Sequence, residues 1–291
     1  MKKFKILIPC YNDWPSVFKL LENIDKEIFN LSGEFSVLIV NDCSSEKMPK
    51  LKTSYKSIKS VQIMNMKINQ GHTRSNATGI RYLSKKGDFD YLILMDGDGE
   101  DRPEEIKLLV EKVLTKKNIS VVARRVKRSE GIAFAFFYNL HKLITLIFTG
   151  RNMNFGHYSC LTKEDMVKIS SKKSLWGNYS GTLKKFISKL DSIPCIRGKR
   201  YVQPSKMSFF NLLTHSFSIL SVFKYQVLLR SILFFVILFL FAPNLYGILF
   251  GFFLIIFTVW IFLLSRRENS EELANCEKKI TNIENIHTIR L

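Results

Sequence analysis

Acidic residues are in short supply in this sequence. Only 25 Asp and Glu stand against 44 Lys and Arg, so the formal charge is +19 and the pI is near 9.7. That balance narrows the partners to nucleic acid, an anionic membrane surface or a negatively charged substrate. No recognised reader motif accompanies the charge, which argues against nucleic acid. Five cysteines, Cys10, Cys43, Cys160, Cys195 and Cys276, include no close pair. This excludes a cysteine zinc site and a disulfide framework and leaves reduced cytosolic thiols. No internal repeat is found, so a solenoid is excluded. Met1 to Lys5 is basic, but the apolar run that follows ends at Pro9 with no small-residue cleavage site. The opening segment therefore reads as a first β-strand and not as a signal peptide.

Apolar residues, by contrast, are concentrated between Val227 and Leu264, and the stretches Ser231 to Ala242 and Leu245 to Leu264 carry no charge. A spanning helix needs about 20 predominantly apolar residues. The second stretch meets this outright; the first does so by extending back past Arg230, which would snorkel to the interface. Pro243-Asn244 reads as the turn of a helical hairpin. Lys206, Lys224 and Arg230 precede the hairpin and Arg266-Arg267 follow it, so the basic excess places both ends in the cytoplasm. Ile132 to Phe148 is apolar but interrupted by Asn139, His141 and Lys142, and is expected to be a buried or interfacial helix. Ser205 to Phe223 reads as a juxtamembrane amphipathic helix, and Arg266 to Leu291 as a mobile or weakly helical tail.

With 291 residues the chain holds one sizeable α/β domain and a smaller attachment. Its first half alternates strand-like runs at Lys5 to Pro9, Phe35 to Asn41, Val61 to Met64, Tyr91 to Met95 and Ile119 to Ala123 with helical stretches. This is the rhythm of an α/β sheet, and such sheets bind ligands beyond the C-terminal ends of their strands. The loops expected there carry Asn12-Asp13, Asn41-Asp42, Asp96 to Asp101 and Arg124-Arg125.

Asp96-Gly97-Asp98 places two hard carboxylates on one turn, suited to a shared divalent cation such as Mg2+ or Mn2+. An EF-hand is rejected, because Asp101 and Lys107 occupy the positions that need Gly and Glu. Read alone, the acidic turn could equally cap the helix that Pro103 opens, with Glu104 and Glu105 in its first turn.

The acidic loop has company. Ile6 to Asp13, Val40-Asn41-Asp42-Cys43-Ser44-Ser45, Asn69-Gln70-Gly71-His72 and Asp96-Gly97-Asp98-Gly99-Glu100-Asp101-Arg102-Pro103-Glu104 together resemble the family 2 glycosyltransferases of GT-A fold. The resemblance is to their polyprenyl-phosphate branch, typified by dolichyl-phosphate mannose synthases and bactoprenol glucosyltransferases, and it covers roughly Lys5 to Leu264. It implies an α/β, GT-A, Rossmann-like mixed sheet over residues 1–203, a connector over 204–224, a two-span hairpin over 225–264 and a cytoplasmic tail over 265–291. It further implies a nucleotide-sugar site at Pro9, Tyr11, Asn12, Asp42, Asn69, Asp96 and Arg124, with Asp96, Asp98 and Glu100 as metal ligands. Asp98, Arg124 and His157 are the implied catalytic residues. Arg124 stands where the family has Gly-x-Arg, a place for a bidentate phosphate clamp; Arg125 and Arg128 add less specific charge. His157, in Gly156-His157-Tyr158, replaces the acid of the branch's Gly-Asp-Phe. Arg200, Ser205 and Lys206 match the branch's Arg-x-x-Gly-x-Ser-Lys and would face an acceptor phosphate. The Glu-Asp base of hydroxyl-glycosylating relatives is missing at Trp176 to Tyr179, and the Gln-x-x-Arg-Trp signature of processive synthases is absent.

The resemblance therefore implies an inverting transfer of one sugar from a UDP- or GDP-sugar to polyprenyl phosphate, by a multi-pass enzyme of the cell membrane with a cytoplasmic catalytic domain. Two alternatives stand: transfer to a lipid-linked oligosaccharide in surface-polysaccharide assembly, and a non-catalytic binder of nucleotide-sugars or lipid phosphates that regulates a partner. Homo-oligomerisation is left open.

Overall fold

The continuous apolar run near the N-terminus becomes the middle of a sheet. Strand β1 (Lys3–Cys10) is buried from Phe4 to Cys10, as expected of a strand covered on both faces. Side chains alternate across it. Phe4, Ile6 and Ile8 face α1 (Trp14–Glu27), where Val17, Leu20, Leu21 and Ile24 are buried, while Leu7 joins the opposite layer. The computed structural model describes residues 1–50, 54–116, 119–127, 132–202 and 209–289.

After α1 come β2 (Glu34–Asn41), β3 (Ile58–Met66), α2 (His72–Lys86), β4 (Tyr91–Leu94), α3 (Ile106–Thr115) and β5 (Ser120–Lys127). The expected elements of the first half are all present, with ends shifted by one to four residues. The apolar helix α4 (Ile132–Thr149) leads into β6 (Phe155–Thr162), α5 (Lys163–Ser170), α6 (Tyr179–Phe186) and β7 (Leu190–Ile196). The chain then forms α7 (Phe209–Val222), the hairpin helices α8 (Lys224–Phe241) and α9 (Leu245–Ser265), the short α10 (Ser270–Asn275) and a last strand β8 (Ile280–Thr288).

Sheet order is β7-β5-β6-β4-β1-β2-β3-β8. β1 is parallel to β2 and β4, β2 to β3, and β5 to β7, whereas β6 runs antiparallel between β4 and β5. The sheet is thus mixed. Helices α1 and α3 cover one face; α2, α5 and α6 cover the other. Gly79 on α2 lets that helix lie close to the sheet, since a Cβ there would meet Leu7 Cδ1 at 2.6 Å.

Among the described residues two helices, α8 and α9, are long and apolar enough to cross a membrane. Their Leu, Ile and Phe side chains are widely exposed, Phe239 at 71% and Phe241 at 82%. Asn244, in the expected turn, caps α9 by accepting a hydrogen bond from Gly247 N at 3.0 Å. Arg230, expected at the interface, also has a partner within the fold. Its Nη1 donates to Leu146 O at 3.4 Å and to Ile147 O at 2.6 Å. It therefore caps the C-terminal end of α4, where orphan carbonyls and the helix dipole favour a cation. α4 itself exposes Phe137, Leu140, Leu143 and Leu146 and packs on α7 and α8.

The expected C-terminal tail is corrected by the structure. Beyond the hairpin, Asn269 caps α10 by accepting from Glu271 N and Glu272 N at 2.9 Å each, Leu273 and Cys276 enter the core, and β8 pairs antiparallel with β3. The register slips between Val61 and Gln62 and between Asn65 and Met66. Ile280 and Ile283 consequently pack on one core layer and Ile286 on the other. The bulges erase the period of two that would have marked this strand in the sequence.

Candidate active site

The parallel strands β1, β2 and β4 all end on one side of the sheet, and the acidic loop begins there. The loop stays close to the sheet: a Cβ on Gly97 would meet Pro9 O and Val17 Cγ2 at 3.0 Å each. Asp101 turns back beneath it and accepts from Asp96 N at 2.9 Å. Burial and the Asp96 charge push Asp101 up to about 8, against the pull of Arg125, whose Nη2 stands 4.0 Å away.

Asp96 faces α2 and β6. His72, the first residue of α2, places Nε2 2.8 Å from Asp96 Oδ1. His157 on β6 meets His72 edge-on, with ring centroids 4.7 Å apart. One ligand atom from each of His72, Asp96 and His157 lies within 4.8 Å of the other two. Burial pushes Asp96 upward, but the charge of His72 and its hydrogen bond, with His157 and Arg125 behind them, outweigh it and hold the carboxyl well below the usual range. His72 responds in reverse: desolvation lowers it, and Asp96 more than compensates. Burial, aided by the charge of His72, takes His157 down to about 3, so its ring is neutral.

His157 neighbours two rings, Tyr179 at 5.5 Å and His215 at 6.1 Å, both nearly parallel to it. Tyr179 is fixed in turn by a 2.7 Å hydrogen bond with Ser159 Oγ. His215 belongs to α7, which docks on α6 through Asn178 Nδ2 donating to Ser218 Oγ at 2.8 Å. Burial lowers His215 to about 4. The site thus joins the C-terminal ends of the sheet to the helix that enters the apolar hairpin.

Asp98 faces the other way. Arg200 Nη2 pairs with its Oδ2 at 2.8 Å. Glu100 receives Arg197 in a close ion pair and Arg200 Nε at 3.4 Å. Tyr201 closes this strap: its N donates to Asp98 O at 3.0 Å and its ring lies against Gly99, whose φ of +90° no larger residue adopts without strain. Burial and the Asp96 charge push Asp98 up to about 6.

Several residues with expected roles have partners within the protein. Glu100, expected as a metal ligand, is engaged by two guanidinium groups, and Arg200, expected to face an acceptor phosphate, is the partner of Asp98 and Glu100. Arg124, expected to clamp phosphates, is exposed, while its neighbour Arg125 turns toward Asp101 and Gly156. An irregularity in the β5–β6 register between Val122 and Arg124 decides which of the two faces inward. The Asp42 carboxylate, expected at the nucleoside, accepts from Gln70 N at 2.9 Å and Gly71 N at 2.7 Å. It shapes the loop that starts α2, and Asn69 assists by donating to Asp42 O at 3.2 Å. Asn12, in the left-handed region at φ 50°, binds Ser45 Oγ and Glu46 N and so ties the β1 loop to the β2 loop. Tyr11 is half exposed. Ser205, Lys206 and Arg128 lie outside the described residues. Between the two loops a cavity of about 240 Å³ is lined by Trp14, Asn41, Ser44, Asn65 and, from β8, Glu284.

Residues 5–176 match the profile of the family described as Glycosyl transferase family 2, more than half of the chain. The chain belongs to that family. Among its relatives is an undecaprenyl-phosphate 4-deoxy-4-formamido-L-arabinose transferase of Klebsiella pneumoniae (strain 342), 24% identical over 220 residues. That match takes in 73% of this chain but 65% of the relative, so the chain spans just under two thirds of that protein's length. A protein of the same name from Photorhabdus laumondii is 25% identical over 76% of this chain and 68% of its own. In three dimensions the chain is similar to glucosyl-3-phosphoglycerate synthase from Mycobacterium tuberculosis, solved with Mn2+, UDP-glucose and phosphoglyceric acid. The TM-score is 0.54 over 78% of this chain and 80% of that one, at 10% identity. The likeness establishes the GT-A fold.

In this family 2 chain the donor set at Asp96 fits a divalent cation. The loop offers carboxylates, and His157 Nε2 is buried with no hydrogen-bond partner. Sequence reasoning gave His72 and Arg197 no role and Arg125 only unspecific charge. His72 directly follows the Asn-x-Gly segment and His157 replaces the acid of Gly-Asp-Phe, and the fold sets these two residues against each other.

Proposed function

We propose that this chain transfers one sugar, with inversion, from a UDP- or GDP-sugar to a polyprenyl phosphate at the cytoplasmic face of the cell membrane. The observation that carries the reading is the contact between His215 of α7 and His157 beside Asp96. It sets the acidic loop at the root of the apolar hairpin, where a donor from water meets an acceptor confined to lipid. The names of the relatives, transferases acting on undecaprenyl phosphate, support the same acceptor.

An acceptor phosphate oxygen would bond to the anomeric carbon while the bond from that carbon to the nucleoside diphosphate breaks, the electron pair leaving with the diphosphate. A phosphate monoester has a second pKa of about 6 and is largely dianionic at neutral pH, so it needs no protein base. The divalent cation, Mg2+ or Mn2+, would sit at the acidic loop around Asp96 and supply charge neutralisation to the departing diphosphate. Arg125 lies on the same side and is suited to a phosphate oxygen. Lys and Arg near the hairpin would attract anionic headgroups, about 1 kcal/mol for each basic residue at the surface.

Radiolabelled sugar transfer from a panel of UDP- and GDP-sugars into undecaprenyl phosphate, in nanodiscs holding the full chain, tests the reading. We expect a lipid-linked monosaccharide in the wild type, reduced about 10³-fold in Asp96→Asn, the scale on which preorganised electrostatic groups act. No transfer from any donor to the phosphate, with transfer to a lipid-linked oligosaccharide intact, would replace polyprenyl phosphate as the acceptor. No transfer to either would leave a nucleotide-sugar binder.

A further inference from the structure

We propose that the metal centre of this chain is a nitrogen-rich one, built from His72, Asp96 and His157, which takes an ion that accepts imidazole, such as Zn2+, Co2+ or Mn2+, in preference to Mg2+. The proposal rests on the transferase reading for its purpose but on separate observations for its residues.

The first observation is geometric. A metal with bonds of about 2.1 Å holds adjacent ligands roughly 3 Å apart. His72 Nε2 and Asp96 Oδ1 already stand 2.8 Å apart, and one donor atom of His157 lies within 4.8 Å of each. A small contraction brings all three around one ion. Two imidazoles and a carboxylate gathered on one side leave coordination positions open for diphosphate oxygens.

The second observation is an orphan atom. His157 is 8% exposed and its Nε2 has no hydrogen-bond partner. Buried polar atoms in native proteins are nearly always satisfied, and a metal bond would satisfy this one. The ring is also pre-set, because the rings of Tyr179 and His215 lie nearly parallel to it at 5.5 and 6.1 Å. Supporting contacts of that kind orient metal ligands in general; here Asp101 also fixes the Asp96 backbone through its N–H.

The third observation removes the competing ligands. Asp98 is paired with Arg200, and Glu100 with Arg197 and Arg200. A cation recruited by those two carboxylates would have to displace two guanidinium groups. Asp96 has no such partner among the described ion pairs, only His72. Imidazole suits Zn2+ and Co2+; Mn2+ favours oxygen but accepts imidazole more readily than Mg2+, which prefers an all-oxygen shell and keeps its waters.

The decisive experiment loads the full chain in nanodiscs with Mn2+ alone, in the absence of donor, and records pulsed electron paramagnetic resonance for coupling to ¹⁴N. We expect nitrogen coupling in the wild type, lost in the double variant His72→Gln/His157→Asn. Each single variant should weaken Mn2+ at least about tenfold, the lower bound for disturbing a metal's surroundings. Mg2+ should displace Mn2+ only in large excess. His72→Gln is the folding control, since His72 is 42% exposed at a helix start and its loss leaves the core intact. Mn2+ bound without nitrogen coupling and with wild-type affinity in both single variants would overturn the proposal in favour of an oxygen-only site. So would the absence of Mn2+ binding to the folded wild type. Sugar transfer by the same preparations is scored separately, so an oxygen-only site with transfer intact would overturn this inference and leave the transferase reading standing.

Discussion

The sheet domain and the hairpin use the same residues to opposite ends. In β1, Ile6, Leu7 and Ile8 are 0% exposed, while in α8 and α9 Leu240 is 63% and Phe252 64% exposed. Burial in the sheet comes from helices on both faces; the described residues leave the hairpin's apolar surface uncovered, at a length suited to a membrane. An apolar run therefore reports a non-aqueous neighbour without saying which one. The regions are joined by α7, whose His215 reaches the acidic loop, and by α10 and β8, which return from the hairpin to complete the sheet edge.

The sharpest test of that division lies in the C-terminal return. Leu273 is 1% exposed and packs with the sheet's core cluster. Leu273→Ala should cost about 2–4 kcal/mol, the range for removing a buried leucine, read as a lowered unfolding midpoint of the purified chain. A mobile tail would show no change, and that result would undo the joined-sheet description.

Lys5 tests the sheet side through pH. It is 8% exposed, donates to Gln62 Oε1 at 3.0 Å, and burial holds its pKa down to about 8 from 10.5. The folded state disfavours the charged form, so below pH 8 the full penalty is present, and above 10.5, where both states are neutral, there is none. Wild-type stability from this group rises with pH across that window. Lys5→Met should therefore stabilise the chain by about 2 kcal/mol at pH 7, about 3 from relief of the charge less about 1 for the lost bond to Gln62, with the gain fading toward pH 10.5. Thermal unfolding at pH 7 and pH 10 measures both ends; an equal gain at both would show that packing, not charge, is responsible.

The smallest effect is expected inside the hairpin. Thr258 Oγ1 donates to Ser231 Oγ at 2.9 Å between α9 and α8. Hydrogen bonds between membrane helices average about 0.6 kcal/mol, so Ser231→Ala should lower stability by about that amount in a steric-trap or denaturant titration in bicelles. A loss comparable to that of Leu273→Ala would mean that the hairpin packs like the sheet domain.

Much of the sheet could be read in advance because β1 to β5 carry regular apolar patterns and their helices begin at Pro or after Gly. Later elements were harder. β6 carries Gly156, His157 and Ser159 among its apolar residues, which breaks the alternation, and β8 loses its period to two register slips. The site divides in the same way. The acidic loop was legible because its ligands are neighbours in sequence. His157 could be singled out by its motif position, but its meeting with His72 and His215 could not, since the three come from α2, β6 and α7.

Chain order alone determined the composition of the parts: an α/β domain, an acidic loop after a central strand, and a hairpin with 20 uncharged residues in its second arm, Leu245 to Leu264. These are local properties, set by side-chain polarity against backbone period. Only the tertiary structure decided which carboxylate meets imidazole and which meets guanidinium, which of Arg124 and Arg125 turns inward, and that the last residues complete the sheet. Each depends on strand register and on contacts between distant segments, and a one-residue shift in register reverses the face that a side chain takes.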